Sequence, residues 1–203
     1  MSSRDFGGFG GEGFDFEHRP EVDAWLRDRA TDAPTAATRF EWLDGDQVAL
    51  PPVTAAHAAC TNRLAALFQE VLGATAIVSV QNPVLLDESS RPCPDVALLV
   101  PREDGYRETF PTVADIIVLV EVADSTFGLT HTRGRKASLY ARCGITECWI
   151  VDLVSAQVLV HRTPASGGYR DIRNLRGEAM LAPVGRPEAL LSAGAVLGPA
   201  GTA

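Results

Sequence analysis

Asp95 opens an apolar strand in the stretch CPDVALLV, and Glu121 closes another in IIVLVEV. A carboxylate in so apolar a setting is costly to bury while charged, unless a cation or hydrogen-bond donors meet it. If the two strands are neighbours, both carboxylates reach one point at the end of the sheet. Oxygen ligands of that kind suit Mg²⁺ or Mn²⁺, with water and a substrate phosphate filling the remaining positions. The same residues also read as two solvated strand ends, which are commonly polar.

A third group belongs with them. The stretch GRKASLYARCGI, residues 134–145, holds Lys136, the only lysine in a chain whose 18 basic residues are otherwise arginine. An ammonium is a compact point charge that can give up a proton, whereas a guanidinium stays charged and prefers planar, bidentate partners. Near a metal-bound water or a developing phosphorane charge, a lysine can stabilise what a bulkier guanidinium cannot reach. The alternative is a solvated lysine on a helix.

Positioning these residues requires a sheet with helices on it. RFEWL, DGD and QVALPP read as strand, tight turn and strand. Before them, Pro20 opens a short helix through PEVDAWLRDRA. Thr54 is placed to cap a helix running to Leu72 and ended by Gly73. TAIVSVQ, PVLLD and DVALLV follow as strand segments, then IIVLVEV, apolar on both faces as a central strand should be. The polar stretch ADSTFGLTH reads as a loop, leading to a helix from about Arg133 to Cys143, capped by Thr132 and stopped by Gly144. ECWIVDL and QVLVHR form a hairpin, with GYRDIR as an added edge. This is an α/β chain, a mixed sheet flanked by helices.

The 203 residues, 46% of them hydrophobic, suit one domain with a single sizeable core. The expected division is a glycine-rich disordered lead over 1–18, the domain over 19–190, and a flexible tail over 191–203. The N-terminus lacks the layout of a signal peptide, and no apolar run is long enough for a membrane span. Cys60, Cys93, Cys143 and Cys148 lack zinc-site spacing and read as free thiols of a cytoplasmic protein. The net charge of −8 argues against strong non-specific binding of duplex DNA over a broad face. The apolar C-terminal strands leave a symmetric homodimer open.

RPCPDVALLV, VLVEVADST and RGRKASLYARCGITECWIVDL together resemble the Uma-two family of restriction-endonuclease-like proteins, a branch of the PD-(D/E)xK nuclease superfamily. The similarity runs over roughly residues 20–172 and joins Pro94-Asp95, Glu121-Val122, Lys136, Tyr140, Gly144 and Trp149 to Asp152. It implies a restriction-endonuclease-like fold with Asp95, Glu121 and the Val122 carbonyl as metal ligands. Ala123 stands where the superfamily's usual lysine would be, so the resemblance implies that Lys136 supplies the amine from the next helix. Thr132 stands where relatives commonly have aspartate, and the link from Glu121 to Lys136 is about two residues longer. Glu41 and Asp46 flank a turn similar to the family's N-terminal acidic motif, and His57 matches a recurrent histidine. Gln81 and Asp124 are further accessory candidates, whereas Tyr140, Trp149 and Asp152 read as packing and turn residues. The expected function is Mg²⁺- or Mn²⁺-dependent hydrolysis of phosphodiester bonds in nucleic acid, DNA before RNA. The alternative is a catalytically inactive nuclease-fold module for interaction or regulation.

Overall fold

The computed structural model describes residues 39–50 and 52–199. The lead expected over 1–18 and the helix expected from Pro20 lie outside the described residues. Strands β1 (Phe40–Leu43) and β2 (Asp46–Ala49) form a hairpin. Its two-residue turn places both Asp44 and Gly45 at positive φ, 55° and 81°, the geometry that favours Asp-Gly there. Helix α1 (Ala55–Leu72) starts as its sequence indicates, with the Thr54 side chain accepting from the His57 N–H and Gly73 at the C-cap.

A six-stranded sheet carries the core, in the order β3 (Ile77–Val80), β4 (Val96–Leu99), β5 (Ile116–Ala123), β6 (Glu147–Asp152), β7 (Gln157–Ala165) and β8 (Gly168–Leu175). Only β5 and β6 pair parallel; the other neighbours are antiparallel. A parallel pair needs a crossover, and residues 126–142 supply a helical one. Each face of the sheet is covered. Phe68 and Leu64 of α1 pack with Val96, Val118 and Trp149 on one side. Leu139 and Tyr140 of the crossover pack with Ala97, Leu119 and Ile150 on the other.

The crossover differs from its sequence reading. It is helical from Thr126, with α2 (Thr126–His131), a π-helical turn over Thr132–Lys136, and α3 (Ala137–Arg142). Ser125 is the cap, accepting from the Gly128 N–H at 3.1 Å, and Thr132 lies inside the helix, buried. Gly128 and three threonines are weak helix formers, so this stretch reads as loop until tertiary packing adds to it. The wider π turn accommodates extra chain within a continuous helix, a feature frequent at functional positions.

Two further expectations change. PVLLD is no strand: Leu85 makes a single bridge to Thr112, although Val84 and Leu86 are buried. The flexible tail expected from residue 191 is instead ordered through Leu197. β9 (Met180–Leu181) pairs with β10 (Leu191–Ser192), and α4 (Ala193–Leu197) buries Ala193 and Val196 against α1 and β7. Alanine and glycine are common there and look weakly patterned, but small residues allow close packing. No helix among the described residues is long and apolar enough to cross a membrane.

Phe68 and Trp149 meet at 5.7 Å between ring centroids, tilted by 41°, in the middle of the first core. Phe68→Ala should therefore cost about 3–5 kcal/mol, checked by the urea midpoint at unchanged m-value.

Candidate active site

Asp95 and Glu121 come together through strand register. β4 and β5 pair antiparallel up to Val96 and Val120, and one step further the same register sets Asp95 opposite Glu121. Asp95 shares its face of β4 with Ala97 and Leu99, and Glu121 shares its face of β5 with Leu119. Like charges placed opposite on one face repel, so the surroundings must hold them. The Val122 N–H donates to Asp95 Oδ2 at 2.8 Å. Pro94 is the residue that would continue the ladder opposite Val122. Having no N–H, it cannot donate to the Val122 carbonyl.

The two carboxylates are held by different means. Asp95 Oδ1 accepts from Gln81 Nε2 at 3.1 Å and lies 3.1 Å from His57 Nε2. Burial pushes its pKa up, but the His57 contact and the Lys136 charge outweigh this and hold it below the usual carboxylate range. The Asp95 contact in turn raises His57. Both Glu121 oxygens lie 2.8 Å from Lys136 Nζ. The Tyr140 hydroxyl donates to Glu121 Oε1 at 2.6 Å. Here burial wins: despite Lys136, the Glu121 carboxyl is pushed up to about 7, with Asp95 and Glu41 adding to the rise.

Glu41 completes the cluster from the inner face of the hairpin. Its Oε2 lies 3.1 Å from Lys136 Nζ and accepts from the Cys93 N–H at 3.2 Å. Burial would raise its pKa, but the Lys136 charge and these bonds bring it down to about 2. Lys136 therefore sits between two carboxylates and is itself 3% exposed. Burial favours the neutral amine, yet the charges of Glu121 and Glu41 raise its pKa above the usual lysine value.

Asp95, Glu121, Lys136 and Glu41 line one cavity of about 350 Å³. Val48, Leu50, Pro52 and Val53 also line it, Val48 as the cross-strand partner of Glu41. Among the accessory candidates, Glu41, His57, Gln81 and Asp124 border the cavity, and Asp124 accepts from the Thr54 hydroxyl at 2.5 Å. Asp46 does not. It lies on the surface, 2.6 Å from Arg135, and ties the hairpin to the π turn.

Tyr140 was a packing residue by its sequence and is also a hydrogen-bond donor at the site. The available signal was its position four residues after Lys136, on the same helix face. His131 was not singled out either; it borders the cavity with Nε2 3.6 Å from Glu41 Oε1. Trp149 and Asp152 serve packing and a turn: Trp149 lies in the core, and Asp152 accepts from the Ser155 N–H at 2.9 Å.

Comparison with known proteins bears on family and fold. The model of the Uma2 family, described as "Putative restriction endonuclease", matches residues 28–190. The chain belongs to the Uma2 family. No curated protein matches it. Among solved structures, the chain is similar to a crystal structure described as a putative nuclease belonging to DUF820 from Anabaena variabilis ATCC 29413. The TM-score is 0.62 at 16% identity, over 84% of this chain and 96% of that one. At that identity the likeness is one of fold, and the Uma2 chain shares its α/β architecture.

Lys136 compensates two buried carboxylates, so Lys136→Ala should destabilise the protein by about 3–5 kcal/mol at pH 8. Without the ammonium, the folded-state pKa values of Glu41 and Glu121 rise further, and protonation relieves the uncompensated charge. The loss should therefore shrink towards pH 5. In the wild type, Glu121 keeps a proton between its ordinary 4.5 and about 7 that the unfolded chain releases. Its contribution to stability thus falls as pH rises through that window. Denaturation of both proteins across pH 5–8 checks the sign; a pH-independent difference would remove the charge argument.

Proposed function

We propose that this Uma2 protein is a divalent-metal-dependent nuclease that hydrolyses phosphodiester bonds of nucleic acid, with DNA the first substrate to test. The reading rests on one observation, two carboxylates set opposite each other across adjacent strands and lining a single cavity. Nuclease chemistry in general also agrees with the family's description.

The residues fit a hard divalent cation with few protein ligands. Among the described residues, no group of three or more His, Cys, Asp or Glu side chains is arranged as a metal centre. The donor set is therefore two carboxylates and a backbone carbonyl. An ionised carboxylate has about four lone-pair sites. Gln81, His57 and Val122 use three on Asp95, and Lys136 (twice) and Tyr140 use three on Glu121, so each keeps one. The Val122 carbonyl, opposite Pro94, is the natural third donor. Mg²⁺ or Mn²⁺ bound there would supply charge stabilisation for the phosphate and a nucleophilic water at neutral pH.

The chain's own residues do the holding. Gln81 and His57 fix the Asp95 carboxylate from one side and the Val122 N–H from the other. Lys136 and Tyr140 fix Glu121 and keep its remaining lone pair in one direction. An ammonium has three donors, and Lys136 directs them within a space walled by Glu41, Glu121 and the π turn. Arginine's planar head does not fit a space of that shape.

One observation favours the second reading, a non-catalytic module. Glu121 already has hydrogen-bond partners within the chain, Lys136 and Tyr140. Metal binding separates the two readings.

Calorimetry at pH 8 should show weak Mn²⁺ binding in the wild type and none in Asp95→Ala or Glu121→Ala. Binding should weaken as pH falls through about 7, because Glu121 must release its proton. Unchanged affinity in both variants would rule out this site. In a cleavage assay with Mn²⁺, Lys136→Arg should lose most activity, with a thermal melt to show that it folds. Cleavage by this variant at the wild-type rate would take the amine out of the mechanism.

A further inference from the structure

On the nuclease reading, the depth of the site and the residues on its rim restrict the form of the substrate. We infer that the protein takes nucleic acid as a single strand, with one nucleotide in the cavity and neighbouring bases stacked on Phe40 and Trp42.

The first argument is access. Asp95 is 7% exposed and Glu121 4%, and the cavity above them holds about 350 Å³. That is near the low end of the roughly 300–1,000 Å³ typical of small-ligand sites, room for a nucleotide unit. A duplex, whose major groove alone is about 12 Å wide, cannot enter. Its phosphates stay at the mouth unless one strand leaves the helix, which costs unstacking energy. The lining also includes the apolar Val48, Leu50 and Val53, which suit a sugar or base face.

The second argument comes from the hairpin, whose pattern is inverted. In β1 the carboxylate Glu41 and Leu43 are buried, while Phe40 and Trp42 are each 46% exposed. Two residues along a strand are about 7 Å apart, so the aromatic rings occupy one outer face as neighbours. Phe40 pairs with Ala49, which itself borders the cavity, so this face runs to the rim. Arginines flank it. Arg39 precedes Phe40, borders the cavity and donates to Gln81 Oε1 at 2.9 Å. Arg91, exposed, is bridged to Trp42 through the backbone. Exposed aromatics beside cations form a stacking platform for single strands, which accepts any base because every base has a π-face. The charge agrees: at −8, the chain has little to offer the many phosphates of a duplex.

The test uses labelled oligonucleotides of one sequence as single-stranded DNA, single-stranded RNA and blunt duplex. Fluorescence anisotropy without divalent metal measures binding, and Mn²⁺ then starts cleavage. Single strands should bind about tenfold tighter or more than duplex, and the Phe40→Ala/Trp42→Ala double variant should lose about tenfold or more of that affinity. The conservative pair Phe40→Tyr/Trp42→Phe should retain it, which separates stacking from misfolding. The DNA and RNA arms show which sugar the site takes. Equal or tighter duplex binding overturns the inference, as does full single-strand affinity in the alanine variant. Preferential cutting of duplex overturns it while upholding the nuclease reading. Single-strand binding without cleavage of any form upholds it and removes the nuclease reading. No binding to any form removes both.

Discussion

The structure depends on how one ammonium is shared between two buried carboxylates. At about 4 Å and an effective dielectric of about 20, each Lys136 contact is worth about 4 kcal/mol. The desolvation of each buried ion costs several kcal/mol in return. Glu41, Glu121 and Lys136 therefore add little net stability; what they fix is position. Glu41 belongs to the hairpin, Glu121 to the central strand and Lys136 to the crossover, so three separate elements converge on one nitrogen. Outside the cluster, Arg135 meets Asp46 at 2.6 Å and Arg142 meets Asp44 at 2.6 Å. These partly exposed pairs are weak, but they stitch the same two segments together at the surface.

Much of the fold was legible in the sequence because its strands are strongly patterned. IIVLVEV is apolar on both faces, and it is a strand covered on both sides. Thr54 and Gly73 bracket α1 because caps and left-handed glycines act locally. Where the reading failed, local preference and tertiary packing disagree. Residues 126–132 carry glycine and threonines but are needed as the first turns of a crossover, so packing overrides propensity. Residues 191–197 are small and give no periodic signal, yet Ala193 and Val196 fill space against α1 that a larger residue could not.

The site was legible to a different degree. Asp95, Glu121 and Lys136 stand out because charge in an apolar run, or a lone lysine among arginines, is improbable without a reason. Glu41 and Asp46 look alike in the sequence because both flank one turn, and the sequence alone does not tell which faces inward. Strand alternation decides it: Glu41 shares the buried face with Leu43, whereas Asp46 sits at the turn in solvent. Tyr140 was hidden because a phenol in an apolar stretch packs well, and its hydroxyl needs only one partner.

The inverted hairpin ties these observations together. A strand reading FEWL ordinarily hides its phenylalanine and tryptophan and leaves its glutamate in water, and the hydrophobic effect favours that by several kcal/mol. A shift of one residue in register would restore it. Here Asp44 and Gly45 set a two-residue turn that fixes the register, and Lys136 supplies the charge that makes an inward glutamate tolerable. Each offsets part of the cost of turning the glutamate inward and the aromatic rings outward. The aromatic outer face and the acidic inner face are therefore one consequence of a single register. That register is held by a turn at one end and an ammonium at the other.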